Sequence, residues 1–63
     1  MRVEVNGARR DLAEGTTVAE LLGERLDGVA VAVNDDVVPR SRWGIARVQE
    51  GDRVEILEPR QGG

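Results

Sequence analysis

Met1, Val3 and Val5 alternate with Arg2 and Glu4, and a period of two marks a strand with one buried face. Asn6-Gly7 follows. Both central positions of a type I′ turn need positive φ, so this pair predicts a hairpin. The second strand runs from Ala8 to Leu12. A two-residue turn sets Val5 opposite Ala8, Val3 opposite Arg10 and Met1 opposite Leu12. Arg10 then lies over the core edge, its stem packed and its charge in water.

Glu14-Gly15-Thr16 is a connection, and Thr17-Val18-Ala19-Glu20 fits a capping box. The predicted helix runs from Val18 to about Leu26, with Val18, Leu21, Leu22 and Leu26 on one face. Gly23 would sit inside it, at about 1 kcal/mol relative to alanine, a cost that a close approach to the sheet would explain. Asp27-Gly28 would end it, with Gly28 as the left-handed cap. Val29 to Val33 reads as a central strand, valines on one face and Ala30 and Ala32 on the other. Asn34-Asp35-Asp36 is a turn, and Val37-Val38 a short strand closed by Pro39, which belongs at a sheet edge. An irregular segment carries Trp43, Ile45 and Val48. Glu50-Gly51-Asp52 turns into a last strand, where Val54 and Ile56 face the core and Arg53, Glu55 and Leu57 face away.

A hairpin, one helix, then further strands is the order of an α+β, β-grasp (ubiquitin-like) domain. Its expected mixed sheet has four to five strands with one helix across one face, and the last strand lies between the first and third. The domain would occupy residues 1–58, leaving 59–63 as a tail. Pro59 lacks the N–H that a ladder needs and should stop the last strand. The tail can then extend about 17 Å at roughly 3.4 Å per residue. It ends Gly62-Gly63, and a carboxylate behind two residues without Cβ is the least hindered acyl group a chain can offer.

Composition narrows the chemistry. Sixty-three residues suffice for one small domain. There is no cysteine, histidine or tyrosine, and all nine basic residues are arginine. Thiolate chemistry and cysteine or histidine metal sites are therefore excluded, and Thr16, Thr17 and Ser41 have no histidine to activate them. Catalysis by the body itself is not expected, nor is a bound cofactor. A net charge of −3 argues against nucleic acid. No apolar run approaches the roughly 18 residues of a membrane span. The first residues already alternate as a strand, which is not a signal peptide, so the expected location is cytoplasmic and the expected partner a protein.

Leu57, Ala30 and Ala32 would form a shallow apolar patch at the tail root, with Glu55, Arg53 and Glu58 as a charged rim that sets partner choice. Scattered surface apolar residues are the alternative. Trp43, the one aromatic residue, reads more readily as a core cap than as an interface anchor. Asp35, Asp36 and Asp52 match no calcium loop and read as solvated turn residues, and Arg40 and Arg42 as an ordinary solvated loop.

The pattern resembles the ThiS-like sulfur carriers of thiamine thiazole biosynthesis. The matching stretches are Val5-Asn6-Gly7, Thr17-Val18-Ala19-Glu20-Leu21-Leu22, Val31-Ala32-Val33-Asn34, Val38-Pro39-Arg40-Ser41-Arg42-Trp43, Glu50 to Leu57, and Gly62-Gly63. The resemblance implies that an E1-like adenylyltransferase, consuming ATP, adenylates the Gly63 carboxylate. Sulfur from a donor protein then gives a thiocarboxylate, which thiazole synthase uses. Gly62 would thread the partner's channel. The small subunit of molybdopterin synthase shares fold and tail, and Val-Pro-Arg-Ser-x-Trp favours the thiamine branch over it. A carrier for cysteine or methionine synthesis, and a β-grasp adaptor with an inert tail, are the remaining alternatives.

Overall fold

A computed structural model of the chain describes residues 1–25 and 27–58. Strand β1 (Arg2–Val5) and β2 (Ala8–Asp11) form the first hairpin in the expected register, with Val5 opposite Ala8 and Val3 opposite Arg10. Met1 and Leu12 extend it by a reciprocal pair of hydrogen bonds. Asn6 and Gly7 have φ of 50° and 84°, as a type I′ turn requires. Every residue of β2 is exposed, Arg10 included.

Helix α1 (Val18–Leu22) opens on the predicted capping box. The Glu20 N–H donates to the Thr17 hydroxyl, and the Thr17 N–H donates to the Glu20 carboxylate. The other free N–H groups of the first turn find carbonyls from the segment before the last strand: Val18 donates to Ala46 and Ala19 to Trp43. A short helix therefore has its whole N-terminus satisfied, half of it from distant sequence.

The helix is shorter than its pattern suggests. It ends at Gly23, with φ 63°, rather than continuing toward Leu26, which lies outside the described residues. Gly28 also has positive φ (73°), but in the turn into the next strand and not as the cap. A Cβ on Gly23 would meet nothing within 4 Å. Its glycine answers to backbone conformation and not to a close approach.

Strand β3 (Ala30–Val33) pairs with β4 (Asp36–Val38) across a second tight turn, where Asn34 and Asp35 have φ of 52° and 74°. A 3-10 turn at Arg40–Arg42 follows Pro39. Strand β5 (Arg53–Leu57) closes the sheet in the order β2-β1-β5-β3-β4. It runs parallel to β1 and antiparallel to β3, so the last strand occupies the centre as expected. The short strand before Pro39 is indeed an edge.

Burial follows the alternation. Val3, Val5, Val31, Val54 and Ile56 are buried on the face that α1 covers with Val18 and Leu22, joined by Trp43 and Val48. Trp43 is 4% exposed and donates its indole N–H to the Val38 carbonyl at 2.8 Å, with Arg40 over its ring. It caps the core and is not an exposed anchor. This is the β-grasp architecture: a five-stranded mixed sheet with one short helix on one face.

Candidate functional site

The face of the sheet away from α1 is organised by cross-strand register. Leu57 on β5 lies opposite Ala30 on β3, Glu55 opposite Ala32, and Ala32 opposite Val37 on β4. Partners in register share a face, so the expected residues Leu57, Ala30 and Ala32 are brought together. Leu57 is 61% exposed, Ala30 exposed and Ala32 half-buried. Val37, 75% exposed, extends the patch to the edge strand. It was not among the expected patch residues. The hairpin register set by Asn34-Asp35 places it opposite Ala32, and that turn was the available signal.

The other half of this face is charged. Glu4 lies opposite Arg9 on one side and Arg53 on the other. Arg53 donates to the Asp35 carboxylate at 2.7 Å. That hydrogen bond and the negative charge of Asp35 hold the Arg53 guanidinium above its usual pKa, so it remains cationic. Glu55 stands between the charged half and the apolar one. Of the expected rim residues, Glu55 pairs with Ala32 in register, Arg53 lies two residues before it on β5, and Glu58 follows Leu57.

The apolar patch reaches the point where β5 leaves the sheet. Leu57 is its last residue, and Glu58 meets Arg25 at 3.4 Å, both half-exposed. Gly62 and Gly63 lie outside the described residues. Two asparagines hold β5 from its flanks. The Asn6 amide receives the Ile56 N–H at 2.7 Å and donates to the Ile56 carbonyl at 3.2 Å. Asn34 receives the Arg53 N–H at 2.9 Å and donates to Asp52 at 3.0 Å. Sequence reading took both only as turn formers.

Among the described residues no group of acidic side chains is arranged to hold a metal ion. Asp52 receives the Gln49 N–H and the Asn34 amide, and Asp35 pairs with Arg53, so both serve the turns. Thr17 is the helix cap and Thr16 donates to the Ala13 carbonyl. No described helix is long and apolar enough to cross a membrane.

The sequence model of the ThiS family matches residues 3–63, from the first strand through Gly62-Gly63. The chain belongs to the ThiS family. It is 39% identical over its full length to the sulfur carrier protein ThiS of Escherichia coli, itself covered completely. It is also 38% identical to a segment of a thiazole synthase of Paramagnetospirillum magneticum, spanning about 20% of that protein. The crystal structure of a thiamine biosynthesis protein (ThiS) from Geobacter metallireducens superposes with a TM-score of 0.84 at 33% identity, each chain fully covered. A solution structure of a thiamine biosynthesis protein from that organism gives 0.79 at 35% identity, covering this chain fully and 88% of the other.

Proposed function

We propose that this ThiS-family protein is a sulfur carrier whose active group is the Gly63 carboxylate. A carboxylate is a poor electrophile until its oxygen becomes a good leaving group. An E1-like adenylyltransferase supplies that by transferring AMP from ATP and releasing pyrophosphate. The persulfide sulfur of a donor protein displaces AMP to form an acyl disulfide. A thiol reductant cleaves its sulfur–sulfur bond, leaving the thiocarboxylate and the donor's thiol while the reductant is oxidised to a disulfide. Thiazole synthase takes that sulfur for the thiamine thiazole. In this reading the chain is a protein co-substrate in the cytoplasm and performs no catalysis itself; it binds no cofactor, and ATP is consumed by its partner.

The observation that carries the reading is the full-length match to a sulfur carrier, running through Gly62-Gly63. Two structural features support it. The apolar patch of Leu57, Ala30, Ala32 and Val37 adjoins the exit of β5, so a partner docked there has the tail beside its active site. Arg53 and Glu55 flank the patch and select among partners. Similarity to a thiazole synthase segment favours the thiazole branch over a pterin precursor or an amino-acid pathway.

Incubation with ATP, a persulfide donor, a thiol reductant and the activating enzyme should replace one oxygen by one sulfur in the intact mass. Deleting Gly63 should abolish that change and leave the circular dichroism spectrum unaltered. A truncated chain that still supports thiazole formation overturns the assignment, and a wild-type chain that no cognate activator modifies favours an adaptor with an inert tail.

A further inference from the structure

The two flanks of β5 are not alike. Its odd-numbered residues turn their peptide groups toward β3: Arg53 bonds with Asn34, and pairing continues to Leu57 opposite Ala30. The even-numbered residues turn toward β1, where Glu4 donates to the Asp52 carbonyl and Asn6 to the Val54 carbonyl. Strand β1 then ends, because Asn6 and Gly7 carry the chain away in the turn. Ile56 faces that flank with both an N–H and a C=O, two residues beyond the last backbone partner. The Asn6 side-chain amide supplies one acceptor and one donor, the two groups that a continued β1 would have offered from successive residues of its parallel ladder.

We propose that Asn6 is a positioning residue for sulfur transfer, its amide holding the C-terminal end of β5, from which the chain runs on to Gly63, in the sheet. This rests on the carrier reading above. The physical reason is effective concentration. Freedom at the root of a tethered segment spreads its terminus over a larger volume, and fewer of its positions reach the active site of a docked partner. The same freedom blurs the patch, because Leu57 is the next residue after Ile56.

Asn34 provides the control. It too is a turn residue of positive φ bonded to β5, but at the strand's opposite end. Glycine accepts positive φ, so Asn6→Gly and Asn34→Gly each keep the turn and remove only the amide. Amide hydrogen exchange on the full chain, with steady-state activation by the adenylating enzyme, separates the roles. Asn6→Gly should exchange about tenfold faster at Ile56, the loss of a partner for a part-buried N–H. It should raise KM for the carrier about fivefold with kcat unchanged, the signature of lost uniform binding. Asn6→Asp keeps the acceptor and should protect the Ile56 N–H better than Asn6→Gly. Asn34→Gly should leave both Ile56 exchange and KM at wild-type values.

Unchanged Ile56 exchange in Asn6→Gly overturns the proposal, as does an equal rise in KM for Asn34→Gly. If the wild-type chain is never activated, the carrier reading falls, and the exchange data still decide whether Asn6 holds the strand end.

Discussion

The two faces of this sheet are made from the same strands and serve opposite ends. On the covered face, Val3, Val5, Val31, Val54 and Ile56 meet Val18, Leu22, Trp43 and Val48 and are sealed from water. On the open face, the alternate residues of those strands divide into a charged half on β2 and β1 and an apolar half on β3, β4 and the end of β5. A sheet with one helix has one interior, and side-chain alternation makes everything else surface. The covered face answers to volume and is intolerant of loss. The open face carries little of the folding energy, so its apolar residues are free to serve a partner.

Perturbation can test that division. Trp43→Ala removes the largest side chain of the core and leaves the Val38 carbonyl without its donor. It should cost about 3–5 kcal/mol in urea unfolding, a large share of the stability of a domain this small. A loss below about 1 kcal/mol would mean that the covered face is not the core it looks to be. On the open face, Leu57→Arg should change stability by no more than about 0.5 kcal/mol. It should weaken binding to the adenylating enzyme about tenfold or more by calorimetry, because it puts a charge in place of an apolar side chain that is 61% exposed at the end of β5. Equal affinity would remove the patch as a docking surface.

Smaller effects sharpen the contrast. Thr17→Ala removes a cap on the covered side and should cost about 1 kcal/mol, seen as a lower melting temperature without any change in partner affinity. Arg53→Gln should move the melting temperature least, because its contact with Asp35 is a solvent-exposed pair. Arg53 also has a sign in pH. Its folded pKa is raised, so any stability it adds is complete below its unfolded pKa and fades only as pH rises through the folded value. Arginine titrates far above neutrality, so melting temperatures of wild type and Arg53→Gln should run parallel from pH 6 to about 9. Curves that converge within that window would contradict this assignment.

Much of this was legible in the residues. The alternation at Met1 to Val5 and Asn6-Gly7 yields the first hairpin with its register, and Thr17 with Glu20 yields the helix start. These are local signals, each complete within a few positions. The helix end was misread because Leu26 continues the apolar spacing, whereas Gly23 at φ 63° stops the helix after five residues. Periodicity records what a helix would bury and is silent about a backbone that leaves it early. Val37 escaped notice because exposure on an edge strand depends on which neighbour pairs with it.

By itself the chain determined its strands, its turns and its helix cap, since each depends on the intrinsic preferences of adjacent residues. Tertiary structure alone decided what lies far apart in sequence and touches in space. Asn6 reaches Ile56, and Ala46 and Trp43 complete the first turn of α1. A peptide group or a helix end accepts a partner from anywhere in the chain, and only the closed sheet brings that partner within hydrogen-bond reach.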